Sequence, residues 1–497
     1  MAAAPIVNEV RRGLYLDSVA LMRMSRTVAA MPGVAECGIM MGTPANKRIM
    51  ADAKVLAASG EAAGPGDLVI AVRAADPQTA HAALAAARSL LDKPRTASGS
   101  VAAWAPRTIR AAVAADPAAN VALISVPGPF AAAEARKALQ RGLNVMMFSD
   151  NVDITDEVAL KHLARKRGLL MMGPDCGTAI INGTPLGFAN VVPRGDIGIV
   201  GASGTGIQEV SCLIANNGGG ISHAIGTGGR DLKADVGGIT TLMAIDLLDA
   251  DPATRHIIVI SKPPAATVAR MVLDRIARSQ KSFTVCFIGG NGEGMPTNVV
   301  FAPTLTAAAQ SVVPLATNHA NLTPRRGKQR RGGFIRGLFA GGTLCAEAQV
   351  ILREAARPLQ SNTPIPSVDE ITPGFAGDTL IDLGDDEFTK GRPHPMIEPT
   401  VRDDALNRVI ADADTAVVLI DIVLGYGSHP DPAGHLVRSL PADRSRCPVI
   451  VASVTGTDAD PQNRGHQVAM LAAGGILVAA SNADAVRMAV SIVTANV

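Results

Sequence analysis

Aromatic side chains are scarce in this chain: 10 Phe, 2 Tyr and 1 Trp in 497 residues, or 3%. Strand-rich sandwiches and barrels lean on aromatic and β-branched residues, so an all-β architecture is disfavoured. Cysteine is sparse too. Cys37, Cys176, Cys212, Cys286, Cys345 and Cys447 stand apart, without the spacing of a disulfide framework or a metal site. No metal centre is expected, and the thiols read as small buried side chains in a reducing cytoplasm. No apolar run approaches the roughly 20 residues that span a bilayer. Met1–Val7 is too short, and lacks the basic start, to be a secretory leader. A cytoplasmic location with no membrane partner is therefore expected. Neither sign of charge is in excess: 46 Lys and Arg against 44 Asp and Glu give a net charge of +2. That balance argues for neither nucleic acid nor an anionic membrane as partner. The one basic run, Arg325-Arg326-Gly327-Lys328-Gln329-Arg330-Arg331, reads as a solvated linker between domains.

Alanine and glycine dominate what is present, and 47% of residues are hydrophobic. The length exceeds one core and suggests roughly three or four domains. Strands alternate with alanine-rich helices, the pattern of an α/β protein. Residues 8–92 alternate strand and helix and fit a small ferredoxin-like module, assigned to 1–95. Tyr15, Asp17 and Lys47 are its exposed polar candidates, without a catalytic constellation. Residues 96–193 read as a parallel βαβ domain, and 194–330 and 331–497 as two further α/β domains. In such sheets ligands meet the loops at strand carboxyl ends. Those loops include Gly128, Asp175-Cys176, Gly226–Asp231 with Gly228, Gly290-Asn291, and Gly425-Tyr426-Gly427.

One short turn occurs twice. Ala202-Ser203-Gly204-Thr205 follows an apolar strand and opens a helix carrying Glu209. Ala340-Gly341-Gly342-Thr343 does the same before Glu347. Small residues let a ligand reach the backbone, and free amides at a helix start favour negative charge. The amides of Ser203, Gly204, Thr205 and Gly206 are expected to hold phosphate, and those of Gly341, Gly342 and Thr343 a second anion. Both turns are expected to face one small anionic reactant.

These residues carry a resemblance. Asn120–Thr178, with Val126-Pro127-Gly128-Pro129 and Met172-Gly173-Pro174-Asp175-Cys176-Gly177, resembles the nucleotide-fold domain of the succinyl-CoA synthetase alpha subunit. Gly198-Ile199-Val200 with Ser203-Gly204-Thr205 resembles the start of that subunit's second domain, where a helix start receives a phosphoryl group. The third unit is similar to the carboxyl-terminal domain of the beta subunit. The whole chain, including Asp421–Pro432, resembles the FdrA family of ligase-like proteins. The implied fold is a ferredoxin-like module, a Rossmann-like CoA-binding-type domain and two flavodoxin-like ligase domains.

Three departures matter. Gly289–Pro303 has no histidine where such ligases carry phosphohistidine. Ser261-Lys262-Pro263-Pro264 stands where a glutamate is expected. The stretch 97–112 lacks a pyrophosphate-binding glycine loop. CoA and nucleotide are therefore not expected as cofactors. The resemblance implies carbamoyl transfer between oxalurate and oxamate through carbamoyl phosphate, in purine-ureide breakdown, with two partner proteins and a homo-oligomeric chain. An acyl-CoA ligase and a non-catalytic scaffold are the alternatives. Arg230 is a carboxylate clamp or half of an ion pair. His429 is the candidate acid/base or a structural histidine, and His466 shares that ambiguity. His394 and Glu398 lie four apart in a proline-rich loop. Cys176 has no adjacent histidine to activate it.

Overall fold

The computed structural model describes residues 5–14, 16, 18–92, 106–315, 333–389, 394–444 and 447–494. Tyr15, Asp17, His319, Lys93–Ser100 and the basic run Arg325–Arg331 lie outside the described residues. The chain forms two bodies, one of residues 1–105 with 389–393, the other of 106–388 with 394–497.

In the first body the strands Ile6–Arg11, Leu68–Ala74 and Val34–Met41 form an antiparallel sheet in that order. Alternation along the central strand sorts its two faces. Leu68, Ile70 and Val72 pack with Leu21, Val28, Ala80 and Leu84 of the helices Ser18–Ala29 and Pro77–Asp92. Val69 and Ala71 pack with Met50 and Val55 on the other side. The two long helices thus share one face of the sheet, and the helix Pro44–Asp52 lies on the other. Between the second and third strands of the chain run two helices, Pro44–Asp52 and Ala58–Glu61, separated where Lys54 takes a φ of 55°. Lys47 donates to the carbonyls of Glu61 and Ala63 and so ties these helices together.

The second body contains a short parallel sheet, Val121–Ile124, Asn144–Met147 and Met171–Met172, and two seven-stranded sheets. In the first large sheet, Arg194–Gly201, Ile221–Gly226, His256–Ser261, Ser282–Phe287 and Val299–Phe301 lie in the spatial order 2-1-3-4-5. That is the flavodoxin order. Phe334–Phe339, Asp378–Asp382, Thr415–Val423, Val449–Thr455 and Leu477–Ala479 repeat it in the second. Each sheet carries two more strands beyond its second strand. In the first sheet these are the hairpin Thr178–Ile181 and Thr184–Gly187, which pairs antiparallel and crosses the boundary expected at 193/194. In the other they are Leu359–Ser361 and Asp369–Glu370.

The two halves share one apolar cluster. It takes Ile207, Val210 and Ile214 from the helix Gly204–Asn216, and Leu344, Ala348 and Leu352 from the helix Gly342–Glu354. Each fully buried aliphatic side chain stabilises by about 2 kcal/mol, so this seam fixes the two helices against each other.

Candidate active site

The two duplicated turns meet. Ser203 Oγ and Thr343 Oγ1 are 2.6 Å apart and both side chains are buried. A Cβ on Gly341 would lie 3.0 Å from Thr205 Cγ2. Each turn ends a first strand and opens a helix, and the shared seam aims both helix starts at one place. Their positive ends add where an anion would sit.

Two amides expected to bind ligand are spent internally. Gly206 donates to the Ser203 hydroxyl at 2.9 Å, an N-cap bond. Gly341 and Ala340 donate to the two oxygens of Asp421, each at 2.7 Å. Asp421 is held in turn by Arg402, Nη2 to Oδ1 at 2.7 Å. That leaves Gly204 and Thr205 in one helix, and Gly342, Thr343 and Leu344 in the other, as first-turn amides beyond the reach of any helix carbonyl.

Side chains that the sequence reading did not select complete the site. Lys262 is exposed. Its Nζ lies 3.0 Å from the position a Gly342 Cβ would take, and the Asp382 carboxyl abuts the same point. Burial pushes the Asp382 carboxyl up to about 6, against the pull of Lys262. Beside it, His394 Nε2 is 2.6 Å from where a Gly384 Cβ would stand. Burial, then the Arg402 charge, pushes His394 down to about 4. Its Nδ1 accepts from the Met396 amide at 3.2 Å. The bond assigns the proton of the neutral ring to Nε2, making that nitrogen a donor and not a nucleophile. His394, not His429, is thus the histidine at the second helix start. His429 lies across Met396 from it: its amide donates to the Met396 carbonyl, and its Nδ1 accepts from Asp431. Burial, then the neighbouring His435, lowers His429.

Other expected positions have structural duties. Arg230 pairs with Glu157 at 2.8 Å and donates to the Val152 carbonyl, so it does not clamp a carboxylate freely. Asp231 belongs instead to buried Lys161 at 2.6 Å. Gly425 and Gly427 take φ of 112° and 81° and pack on Ala189 and Phe188, with the Tyr426 amide bonded to the Ala189 carbonyl. Cys176 is buried and its thiol is pushed up to about 12, which fits packing. Gly290 and Asn291 are exposed, and neighbouring Gly289 lies by Pro263, next to Lys262. His466 starts a helix turn capped by Asn463.

Gly128, Asp175 and Gly228 gather separately. Gly128 packs on the Asp150 and Asn151 carbonyls, Asp175 donates to the Ser149 carbonyl, and Gly228 packs on the Pro174 carbonyl. Thr178 links this cluster to the first helix start, 3.1 Å from a Gly204 Cβ position. Lys161 and Arg230, the cations tied to these loops, are both committed to carboxylates. Among the described residues no group of three or more His, Cys, Asp and Glu is placed to hold a metal, and no helix is long and apolar enough to cross a membrane.

Glu209 and Glu347 occupy matching places one turn into the two helices. Glu209 accepts from Thr455 Oγ1 and the Asn482 amide, and Glu347 from the Leu305 amide and Asn482 Nδ2. Each thus caps a helix of the opposite half. Burial raises both, Glu347 to about 7. A raised carboxyl binds its proton more tightly folded than unfolded, so its contribution to stability falls as pH rises from about 4.5 to 7. Glu347→Gln is expected to flatten that fall, by on the order of 2 kcal/mol. Urea unfolding of both proteins at pH 5 and 8 reads it; parallel pH slopes would refute it.

Comparison with known proteins agrees with this architecture. Residues 338–492 match a CoA-ligase family model, 194–289 a CoA-binding-domain model, and 4–106 a model named AllF, heavy metal-associated domain. The CoA-binding match thus falls on the first flavodoxin-like sheet and not on residues 96–193. Uncharacterized protein YahF of Escherichia coli is 41% identical over 498 residues, covering 96% of each chain. The succinate–CoA ligase alpha subunit of Aquifex aeolicus is 32% identical over 150 residues, 29% of this chain and 48% of that one. The chain therefore spans only about half of that ligase subunit. The sulfoacetate–CoA ligase subunit SauD of Bilophila wadsworthia is 28% identical over 185 residues, 35% of this chain and 61% of that one. A solved acetyl-coenzyme A synthetase of Ca. Korarchaeum cryptofilum aligns at a TM-score of 0.30 and 15% identity, over 76% of this chain and 82% of that one. The chain belongs to the succinyl-CoA synthetase-like, CoA-ligase-fold family that includes YahF.

Proposed function

We propose that the chain is the subunit of a carbamoyltransferase that brings phosphate and a carbamoyl group together between the two helix starts. The substrate pair is oxalurate and phosphate, giving oxamate and carbamoyl phosphate in allantoin catabolism. A phosphate oxygen attacks the carbamoyl carbon, the carbon–nitrogen bond breaks, and the nitrogen takes a proton. The observation that supports this reading is the 2.6 Å contact between Ser203 and Thr343, which makes two anion-favouring turns into one site. Preorganised amides stabilise charge developing on the attacked group, at about 3 kcal/mol per donor. Direct attack by phosphate needs no covalent carrier, in keeping with the His394 tautomer. Two partner proteins complete the assembly, and the chain self-associates in the cytoplasm.

The match of residues 194–289 to a CoA-binding model favours a second reading, an acyl-CoA ligase. Two assays separate them. The transferase reading expects oxamate-dependent phosphate release from carbamoyl phosphate in the reconstituted complex. It also expects Thr205→Val and Thr343→Val each to cut that rate at least tenfold. Incubation with γ-labelled ATP is expected to leave the protein unlabelled. An acid-labile phosphoprotein, or full activity in both variants, overturns the reading.

A further inference from the structure

Asp382 ends the second strand of its sheet, where the matching position of the other sheet is Gly226. Its side chain is 4% exposed. One oxygen, Oδ1, accepts from the Gly384 amide at 2.9 Å. Oδ2 accepts no hydrogen bond among the described residues and is aimed at Gly342, with Lys262 on the far side of the same point. No ion pair within 4.0 Å closes the gap between Lys262 and Asp382. With no protein donor, Oδ2 is the carboxyl oxygen left to carry the proton or to meet a ligand. The point it faces lies by the Lys262 ammonium at the start of the helix Gly342–Glu354. That is where an anion would bind, with the carboxyl set beside the amide and ammonium donors.

We propose that Asp382 is the proton-transfer residue of this site, giving its proton to the nitrogen that leaves when phosphate attacks the carbamoyl carbon. The inference rests on the carbamoyl-transfer reading. The steps balance. A phosphate oxygen forms the new bond to carbon, the carbon–nitrogen pair goes to nitrogen, and the Asp382 proton goes with it. The hydroxyl proton of the phosphorylated product then returns to the Asp382 carboxylate. In reverse, the carboxylate takes a proton from the attacking oxamate nitrogen while Lys262 and the amides hold the phosphate. Burial supports the assignment, because it keeps the acid form populated near neutral pH.

The groups facing Asp382 do not mimic this titration. His394 is pushed down to about 4 and Cys345 up to about 12. Lys262 pulls the Asp382 carboxyl down. Asp421 is tied to Arg402 and two amides. Asp385, three residues beyond the strand, pushes the Asp382 carboxyl up. Glu347 titrates one turn further on, and its effect is common to wild type and variant.

Two measurements test the inference. The first is binding of inorganic sulfate, whose charge is fixed between pH 5 and 8, to the full chain by calorimetry. Wild-type affinity is expected to fall at least tenfold from pH 5 to 8, as Asp382 ionises beside the anion. Asp382→Asn is expected to change less than twofold. Lys262→Met, at an exposed position that leaves the core intact, is expected to weaken sulfate at every pH but keep the wild-type slope. The second is the pH–rate profile of the reconstituted complex. Asp382→Asn is expected to lower kcat at least 100-fold with KM within threefold, and to lose the limb near pH 6. Equal sulfate slopes in wild type and Asp382→Asn overturn the inference, as does a variant kcat within threefold of wild type. Absence of carbamoyl transfer in the wild-type complex would overturn the functional reading, and the proton step with it. The sulfate slopes would still show whether Asp382 faces the anion.

Discussion

Gly342→Ala is expected to lower turnover about 100-fold or more while leaving the fold as stable as before. The new Cβ would press on the Asp382 carboxyl and lie 3.0 Å from Lys262 Nζ. Lys262 is exposed and swings away at little cost, and the short, buried Asp382 must tilt. The two groups that bracket the reactant are then both displaced. A misplacement of about 1 Å at a reacting centre costs on the order of 100-fold. Stability is unchanged because the helix preference for alanine over glycine, about 1 kcal/mol, offsets the tilt of Asp382. Turnover and urea midpoint measured on one preparation read both effects. A variant as active as wild type would remove Gly342 from the site, and one that unfolds would make it a packing glycine.

Asn482→Ala is expected to cost about 3–5 kcal/mol. The Asn482 side chain donates to Glu347 Oε2 at 2.7 Å and to the Leu344 carbonyl at 3.0 Å, all within the buried seam. Alanine leaves a buried carboxyl oxygen and a buried carbonyl without their donor, and each such loss is charged at its full desolvation cost. The backbone amide still reaches Glu209, so the loss is confined to the Glu347 side. The penalty should be larger at pH 8 than at pH 5. The lost bond favours the ionised form of Glu347, which is populated above about 7. Denaturant unfolding at the two pH values measures it. A loss under 1 kcal/mol at pH 8 would mean that the bridge between the halves is not structural.

Much of the fold was legible because buried parallel strands announce themselves as short apolar runs closed by glycine turns. Val34–Met41 and Thr415–Val423 are both apolar runs, the first closed by Gly42. The hairpin Thr178–Gly187 was not legible, because its two four-residue strands are too short to show a period. The two cradles were legible because a turn repeated one domain apart is a local pattern. Their contact was not, since 140 residues separate Ser203 from Thr343. Asp382 and Asp421 left one usable trace: a carboxylate at the end of an otherwise apolar strand, which a buried strand tolerates only with a partner or a purpose. His429 was preferred for its glycine-flanked loop, a local feature. His394 reaches the site from a proline-rich loop that shows no such pattern. Arg230 was open to reading as a clamp or as half of an ion pair because Glu157, its partner, lies 73 residues earlier.

Phosphate-binding stoichiometry tests the central claim most directly. Calorimetric titration of the full chain with inorganic phosphate is predicted to give one site per chain. Ser203→Ala and Thr343→Val should each weaken that same site. Two phosphates per chain, with each substitution weakening a different one, would contradict a shared site, and so would no binding at all.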